Sequence, residues 1–344
     1  MHHLLRRLAP ALLAVAMVAS GLGLAQDAAV NVYTARHYDT DEALYDRFEE
    51  LTGIAVNVIE GDSDELISRI ESEGANSPAD VFITVDAGRL WRAEQAGLLA
   101  GVDSPVLNAV VPENLRHPDG LWFGLTQRVR GIVYAPDRVD ASELGTYEGL
   151  AEPTFEGRIC IRSSNNVYNQ SLLASLIASL GQDAAETWAA GVVENMARPP
   201  QGGDTDQIRA VAAGECGIAL ANSYYFARLM TSDDPADRAV VERVGWVFPN
   251  QEGRGTHVNV SGAGIVANAS NAAGALEFLE FLASPDAQTR FARGNNEYPV
   301  VEGAALDNPA LERLGSFKAD PIDARLYGVH QAEAQRALDR AGWK

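Results

Sequence analysis

The feature that most constrains the fold of this chain is an alternation of strand and helix patterns near its start. Residues 30–34 and 54–59 alternate as strands do, and the apolar run at 80–85 is typical of a parallel strand buried on both faces. Residues 39–51 and 62–74 carry apolar side chains at helical spacing, with a glycine at or just past each end. This series predicts an α/β fold with a mostly parallel sheet covered by helices on both faces.

A second series of the same kind follows later in the chain. Strand patterns at 158–162 and 217–221 flank helix patterns at 171–180 and 205–213. Two α/β units in one chain of 344 residues predict two lobes, each large enough to bury its own core.

Two extended stretches, near 127–133 and 248–260, join these units. We expect them to be the two crossings of a clamshell. In open α/β sheets, ligands bind in the crevice at the carboxyl ends of the strands. The cleft between the lobes is therefore the predicted binding site.

The first 25 residues have the pattern of a secretory signal. Two arginines and no acid precede an apolar run at 8–18, and small residues at 23–25 suit a signal peptidase. The apolar run is too short to span a bilayer. We expect cleavage after Ala25 and export to a bacterial periplasm; the alternative is an uncleaved anchor helix.

The chain is strongly acidic, with a formal net charge of −20 at pH 7. This charge argues against nucleic acid and anionic membranes as partners. It mildly favours a cationic ligand, although most of the acids are equally explained as a solvated surface.

The two cysteines, Cys160 and Cys216, each fall in or beside a predicted strand. In an oxidising compartment this placement predicts one disulfide bond between neighbouring strands, and the alternative is two buried thiols. Two cysteines are too few to form a metal cage of their own.

Aromatic and imidazole side chains follow three predicted strands at their carboxyl ends. His37 and Tyr38 follow the first strand, Tyr168 follows the strand at 158–162, and Tyr224 and Tyr225 follow the strand at 217–221. A Tyr-Tyr pair is most often packing, and a lone histidine is most often a hydrogen-bonded surface residue. Their shared position at strand ends is what favours a common site.

Four phenols and an imidazole together suit a small, highly charged cation. Phenolate is a hard anionic oxygen donor. A free tyrosine has a pKa of about 10, so a strong nearby charge must displace its proton at neutral pH. Ferric iron supplies that charge, whereas zinc recruits cysteine and histidine, and calcium and magnesium recruit carboxylates and carbonyls.

Several stretches of the sequence resemble periplasmic ferric-ion-binding proteins, the substrate-binding components of iron(III) ABC transporters. The three that carry the candidate ligands are 33–41, 161–171 and 220–225, and further similar stretches are 76–80, 249–262 and 296–300. The resemblance covers nearly the whole mature chain and matches in order, spacing and residue type.

The resemblance implies a two-lobed type II periplasmic-binding-protein fold. Its implied boundaries are 26–128 with 256–305 for the N-terminal lobe and 129–255 with 306–344 for the C-terminal lobe. It implies that Tyr38, Tyr168, Tyr224 and Tyr225 bind Fe³⁺, with His37 as a fifth ligand. The iron would be cargo for a membrane permease, carried by a monomeric protein that is not an enzyme.

Two arginines are candidates for a supporting role. Arg228 lies one helical turn after Tyr225, and Arg36 precedes His37, so either cation can pair with a phenolate or a bound anion. The same residue types leave an alternative open, in which Arg36, Arg130 and Arg228 bind a small organic or phosphorylated anion. A secreted non-haem iron enzyme is a third hypothesis, which the lack of a two-His-one-carboxylate pattern disfavours.

Overall fold

The structure is a computed structural model that describes residues 29–344. The predicted signal segment, 1–25, lies outside the described residues. The strands are β1 Ala29–Thr34, β2 Ala55–Glu60, β3 Val81–Thr84, β4 Leu99–Ala100, β5 Phe123–Tyr134, β6 Ile159–Cys160, β7 Ile218–Asn222, β8 Gly245–Val247, β9 Val258–Val266 and β10 Tyr298–Pro299.

Helices account for most of the remaining regular structure. They are α1 Asp39–Thr52, α2 Ser63–Glu73, α3 Ala87–Gln95, α4 Pro105–Val110, α5 Val167–Leu180, α6 Gln182–Glu194, α7 Asp204–Ala213, α8 Ser223–Thr231, α9 Pro235–Val241, α10 Ala272–Leu282, α11 Pro285–Asn295, α12 Pro309–Leu314, α13 Arg325–Val329 and α14 Gln331–Ala341. Within the described part of the chain, no helix is long and apolar enough to cross a membrane.

The strands form a mixed sheet in the order β2-β1-β3-β9-β5-β7-β6. Strands β1, β2 and β3 are parallel, as the alternation at the start of the chain predicts. The expectation of a mostly parallel sheet is nevertheless wrong, because β9 runs antiparallel to both β3 and β5, and β5 runs antiparallel to β7. Strands β5 and β9 connect the two halves of the sheet. In one half β9 runs opposite to its neighbour β3, and in the other half β5 runs opposite to its neighbour β7.

Strand β5 belongs to both halves of the sheet. Its residues 123–129 pair with β9, and its residues 130–134 pair with β7. The change of partner falls inside the predicted crossing at 127–133. The backbone N–H of Arg130 donates to the carbonyl of His257 at 3.1 Å, so the two extended stretches lie side by side.

The buried apolar side chains form separate clusters on the two sides of these crossings. One cluster joins β1–β3, α1–α3 and α10, and it includes Phe48, Phe82 and Phe278. Another contains α5, α6 and α14, with Trp188 and Trp343 among its members. The lobe boundaries given above stay a prediction.

The candidate ligands lie where strands pass into helices. Tyr38 is the N-cap residue of α1, Tyr168 is in the first turn of α5, and Tyr224 and Tyr225 are in the first turn of α8. Helix α5 begins four residues before the predicted helix at 171–180, because the Asn166 side chain caps it by accepting the Tyr168 N–H at 3.0 Å.

Cys160 and Cys216 form the predicted disulfide bond, with their Cα atoms 5.8 Å apart. The bond joins β6 to the residues just before β7, and these two strands are parallel neighbours. It therefore fixes the two strands that precede Tyr168 and the Tyr224–Tyr225 pair.

Candidate metal centre

The three strand–helix junctions open onto one cavity of about 330 Å³. All five predicted ligands line it, and so do both arginines that were predicted to support them. Its lining includes Arg36, His37, Tyr38, Arg89, Arg128, Tyr168, Tyr224, Tyr225 and Arg228. Residues that are far apart in sequence therefore line the same cavity.

Tyr168, Tyr224 and Tyr225 form the closest group of phenols. The Tyr224 hydroxyl donates to the Tyr168 hydroxyl at 3.1 Å. The rings of Tyr224 and Tyr225 lie 4.2 Å apart between centroids, inclined at 37°. Tyr224 is buried, whereas Tyr168 and Tyr225 are half-buried and reach the cavity. Two of these hydroxyl oxygens are close enough to bind one ion after a small adjustment.

Arg128 lies against these phenols and was not identified from the sequence. Its guanidinium donates to the Tyr224 hydroxyl at 2.6 Å and to the Tyr168 hydroxyl at 3.4 Å. It also donates to the Val85 carbonyl at 2.6 Å and forms an ion pair with Glu297 at 3.1 Å. A fully buried cation is thus held at the phenol oxygens.

Glu297 connects the fourth phenol to this group. The Tyr38 hydroxyl donates to the Glu297 carboxylate at 2.9 Å, and the carboxylate is fully buried between Arg36 and Arg128. Burial by itself raises the pKa of Glu297, but Arg36 and Arg128 outweigh burial and lower it to about 2. Glu297 is therefore ionised at neutral pH.

Burial and neighbouring charges shift the pKa values of the phenols in opposite directions. Burial opposes ionisation of Tyr168, yet the charge of Arg128 and the hydrogen bond with Tyr224 together outweigh it and lower the pKa of Tyr168 below its ordinary value. Burial raises the pKa of Tyr224 well above its ordinary value, despite the same arginine. Burial and the negative Glu297 raise the pKa of Tyr38. Tyr168 is accordingly the phenol that loses its proton first.

Arg36 does not hydrogen-bond a phenol oxygen. It pairs with two carboxylates, one of which accepts the Tyr38 hydroxyl. It is buried, and it pairs with Asp41 at 2.8 Å and with Glu297 at 2.9 Å. Arg228 is exposed, and its guanidinium carbon lies 5.8 to 6.0 Å from the ring centroids of Tyr225, Tyr224 and Tyr38. Arg228 therefore faces rings from both halves of the cavity.

The structure does not bring His37 into contact with the phenols. Its side chain is 57% exposed, and its Nδ1 atom lies 3.2 Å from a carboxylate oxygen of Glu60. His37 lines the same cavity, so a rotation of its side chain is needed before it can reach an ion held by the tyrosines.

Arg130, the third arginine of the anion-binding alternative, is not a free cation. It is buried and donates to Asp204 at 3.2 Å, to Asn222 at 3.0 Å and to Asn169 at 2.7 Å. It does not line the main cavity. Asn222, which precedes the tyrosine pair, binds this arginine.

Two of the groups at the phenols, Arg128 and Glu297, were missed by sequence reasoning. Arg128 and Arg130 lie in β5, a strand in which nearly every residue is buried. A buried arginine must be paired with an acceptor, and this signal would have identified Arg128 as a residue with buried partners. Glu297 carries no comparable signal in its local sequence.

The described residues contain no candidate metal site that is built from the usual metal ligands. Among residues 29–344, no group of three or more histidine, cysteine, aspartate or glutamate side chains could hold a metal ion.

Comparison with known proteins gives a family and a fold. The chain belongs to the family of bacterial extracellular solute-binding proteins, whose profile matches residues 76–316. It is 54% identical to iron uptake protein A2 of Synechocystis over 322 residues, which are 93% of this chain and 91% of that protein.

Solved structures agree with the observed architecture. The Trichodesmium protein IdiA (FutA), in complex with iron and citrate ligands, is 58% identical, with a TM-score of 0.90 over 92% of this chain and 100% of that chain. The ferric binding protein of Campylobacter jejuni is 41% identical, with a TM-score of 0.86 over 92% of this chain and 100% of that chain. The protein has the type II periplasmic-binding-protein fold.

Proposed function

We propose that this protein captures ferric iron in the phenol-lined cavity and delivers it to the permease of an ABC transporter. The observation that carries the proposal is the convergence of Tyr38, Tyr168, Tyr224 and Tyr225 on one cavity. The names of its relatives support it, since they include an iron uptake protein and a ferric binding protein.

The proposed ligands are Tyr38, Tyr168, Tyr224 and Tyr225, with His37 as a fifth. Binding requires each phenol to lose its proton, which a trivalent ion at the oxygen atoms promotes. The Tyr38 hydroxyl must leave Glu297. His37 must turn away from Glu60.

The charges favour a trivalent over a divalent ion. Four phenolates leave one negative charge in excess around Fe³⁺ and two around Fe²⁺, in a buried setting where excess charge is costly. Arg128 and Arg228 lie close enough to offset part of this excess. Reduction of the iron, or protonation of the phenols, would weaken binding and is the proposed aid to release.

Capture and release are assigned to closure and opening of the two lobes. In this proposal the N-terminal lobe, 26–128 with 256–305, supplies His37 and Tyr38. The C-terminal lobe, 129–255 with 306–344, supplies the other three tyrosines. Bending at the crossings near Val129 and His257 would bring the two sets together.

The family and the sequence support an exported transport component rather than an enzyme. We place the protein in the periplasm as a monomer, exported by the signal segment 1–25, which is then removed by cleavage after Ala25. A solute-binding protein of this kind binds and releases its cargo without chemical turnover.

A spectrum of the iron-loaded protein tests the proposal. Phenolate bound to Fe³⁺ gives a charge-transfer absorption band that neither component shows alone. The double variant Tyr224→Phe with Tyr225→Phe should lose both the band and tight iron binding. Tyr33→Phe is the matched control, because the Tyr33 hydroxyl binds Glu73 at 3.1 Å and Tyr33 does not line the cavity.

The anion-binding alternative has weaker support. Arg36 and Arg130 are already neutralised by buried carboxylates, which leaves only Arg228 of the three proposed arginines facing the cavity without such a partner. Calorimetry with citrate and inorganic phosphate separates the two functions. Tight binding of either anion without metal, and no binding of ferric iron, would favour the alternative.

A further inference from the structure

The buried Asp86 carboxylate accepts hydrogen bonds from three elements, α3, β9 and α5. Asp86 is the N-cap residue of α3, and its carboxylate accepts the Gly88 N–H at 2.7 Å. The Asn259 side chain, from β9, donates to the same carboxylate at 2.7 Å. The Ser171 hydroxyl lies 2.9 and 3.1 Å from its two oxygens. Asp86 and Ser171 are both fully buried.

The Asp86–Ser171 contact joins elements that pack in different cores. Helix α3 buries its apolar face in the cluster around Phe82, whereas α5 packs in the cluster around Trp188. Such a contact across two cores differs from the usual way in which a buried helical serine is satisfied. Ser175, one turn further along α5, donates to the Leu172 carbonyl of its own helix at 2.7 Å.

Both residues of this contact are close in sequence to groups that lie at the phenols. Ser171 lies three residues after Tyr168, on the same face of α5. Asp86 follows Val85, whose carbonyl accepts a hydrogen bond from Arg128 at 2.6 Å. A shift of α5 against α3 therefore moves Tyr168 relative to Arg128 and to the ligands of the other lobe.

We infer that the Asp86–Ser171 hydrogen bond ties α3 to α5 and thereby positions Tyr168 for the bound ion. The inference rests on the proposed function. Neither residue touches a phenol, so both are positioning residues rather than ligands. A hydroxyl donating to a buried carboxylate is a strong hydrogen bond, so its loss should loosen α5 against α3.

Ser171→Ala and Ser175→Ala give a matched pair, since both remove one buried hydroxyl from the same helix. With EDTA as the iron acceptor, Ser171→Ala should lose iron about tenfold faster or more, the factor expected for a hydrogen bond to a charged group. Its charge-transfer band should keep its position, because the ligand set is unchanged. Ser175→Ala should lose iron at the wild-type rate.

A double-mutant cycle tests whether the two residues act through each other. Asp86→Ala should also accelerate iron loss, and adding Ser171→Ala to it should produce no further increase. Additive effects of the two substitutions would overturn the inference. Equal rates of iron loss in Ser171→Ala and Ser175→Ala would overturn it as well.

Hydrogen exchange in the metal-free protein separates this inference from the proposed function. Amides at the start of α5 should exchange faster in Ser171→Ala than in Ser175→Ala, whether or not the protein binds iron. If the wild-type protein binds no iron, the proposed function fails. If the two variants also exchange at equal rates, the inference about the Asp86–Ser171 hydrogen bond fails as well. Faster exchange without faster iron loss would overturn the positioning role.

Discussion

The guanidinium of Arg128 lies 2.6 Å from the hydroxyl oxygen of Tyr224, and the same guanidinium pairs with Glu297. Through these two contacts Arg128 connects the tyrosine pair of α8 to Tyr38, whose hydroxyl also binds Glu297. A cation at this position favours the ionised form of the phenols beside it. The site thus contains a group that promotes proton loss before any metal arrives.

Removing the charge of Arg128 should raise the pKa of Tyr168. Burial is the largest single effect on this pKa and raises it, and the charge of Arg128 is the largest of the effects that lower it, so the pKa should rise in Arg128→Gln. A spectrophotometric titration of phenolate absorbance in the iron-free protein measures it, and Tyr168→Phe identifies the transition. Arg89→Gln, which also lines the cavity, is the control. An unchanged titration in Arg128→Gln would contradict this assignment.

The role of His37 is open to a direct measurement. If its imidazole joins the iron, His37→Ala should reduce iron affinity by about 10–100-fold or more, since even outer-shell partners of metal sites typically contribute that much. The charge-transfer band should persist, because the four phenols remain. Glu60→Gln removes the carboxylate that now faces Nδ1 and should not weaken binding. Unchanged affinity in His37→Ala would remove His37 from the ligand set.

His257 should contribute to acid sensitivity of the iron-free protein. Burial, with Arg130 and Arg254 nearby, lowers the pKa of His257 to about 3, whereas an unfolded histidine titrates near 6.5. Between these two pH values only the unfolded state takes up the proton. The free energy of unfolding should therefore fall by about 1.4 kcal/mol for each pH unit as the pH drops through this window.

Substitution of His257 tests this effect by urea unfolding at a series of pH values. His257→Gln loses the packing of the imidazole on Tyr327, so it should be less stable than wild type at pH 7. Because it cannot take up that proton, its deficit should shrink steadily below about pH 6.5. A deficit that stays constant down to pH 4 would mean that His257 titrates normally in the folded protein.

The disulfide bond should stabilise the half of the protein that carries three of the tyrosines. Cys160 and Cys216 are 56 residues apart in sequence, so their bond closes a long loop of the unfolded chain. Cys160→Ala with Cys216→Ala should lower the free energy of unfolding by about 2–4 kcal/mol. Guanidinium unfolding measures this loss, and a reductant should destabilise the wild type but leave the double variant unchanged.

Local sequence patterns predicted the elements that position the site. Gly53 adopts a φ of 73° and ends α1, as a glycine just past a helical pattern indicates. Tyr168 lies before the predicted helix at 171–180, but Asn166 caps α5 early and places Tyr168 in its first turn. Sequence patterns resolve the existence of a helix better than its ends, because one capping side chain moves an end by several residues.

The sequence by itself determined which residue types stand at the ends of the strands, because strand, helix and turn preferences act over a few neighbouring residues. It therefore indicated four tyrosines and His37 as a group. Only the tertiary structure decided that Arg128 and Glu297 lie among those tyrosines, and that His37 pairs with Glu60. These contacts join residues up to 259 positions apart in the chain, and only the packing of the folded lobes sets such distances.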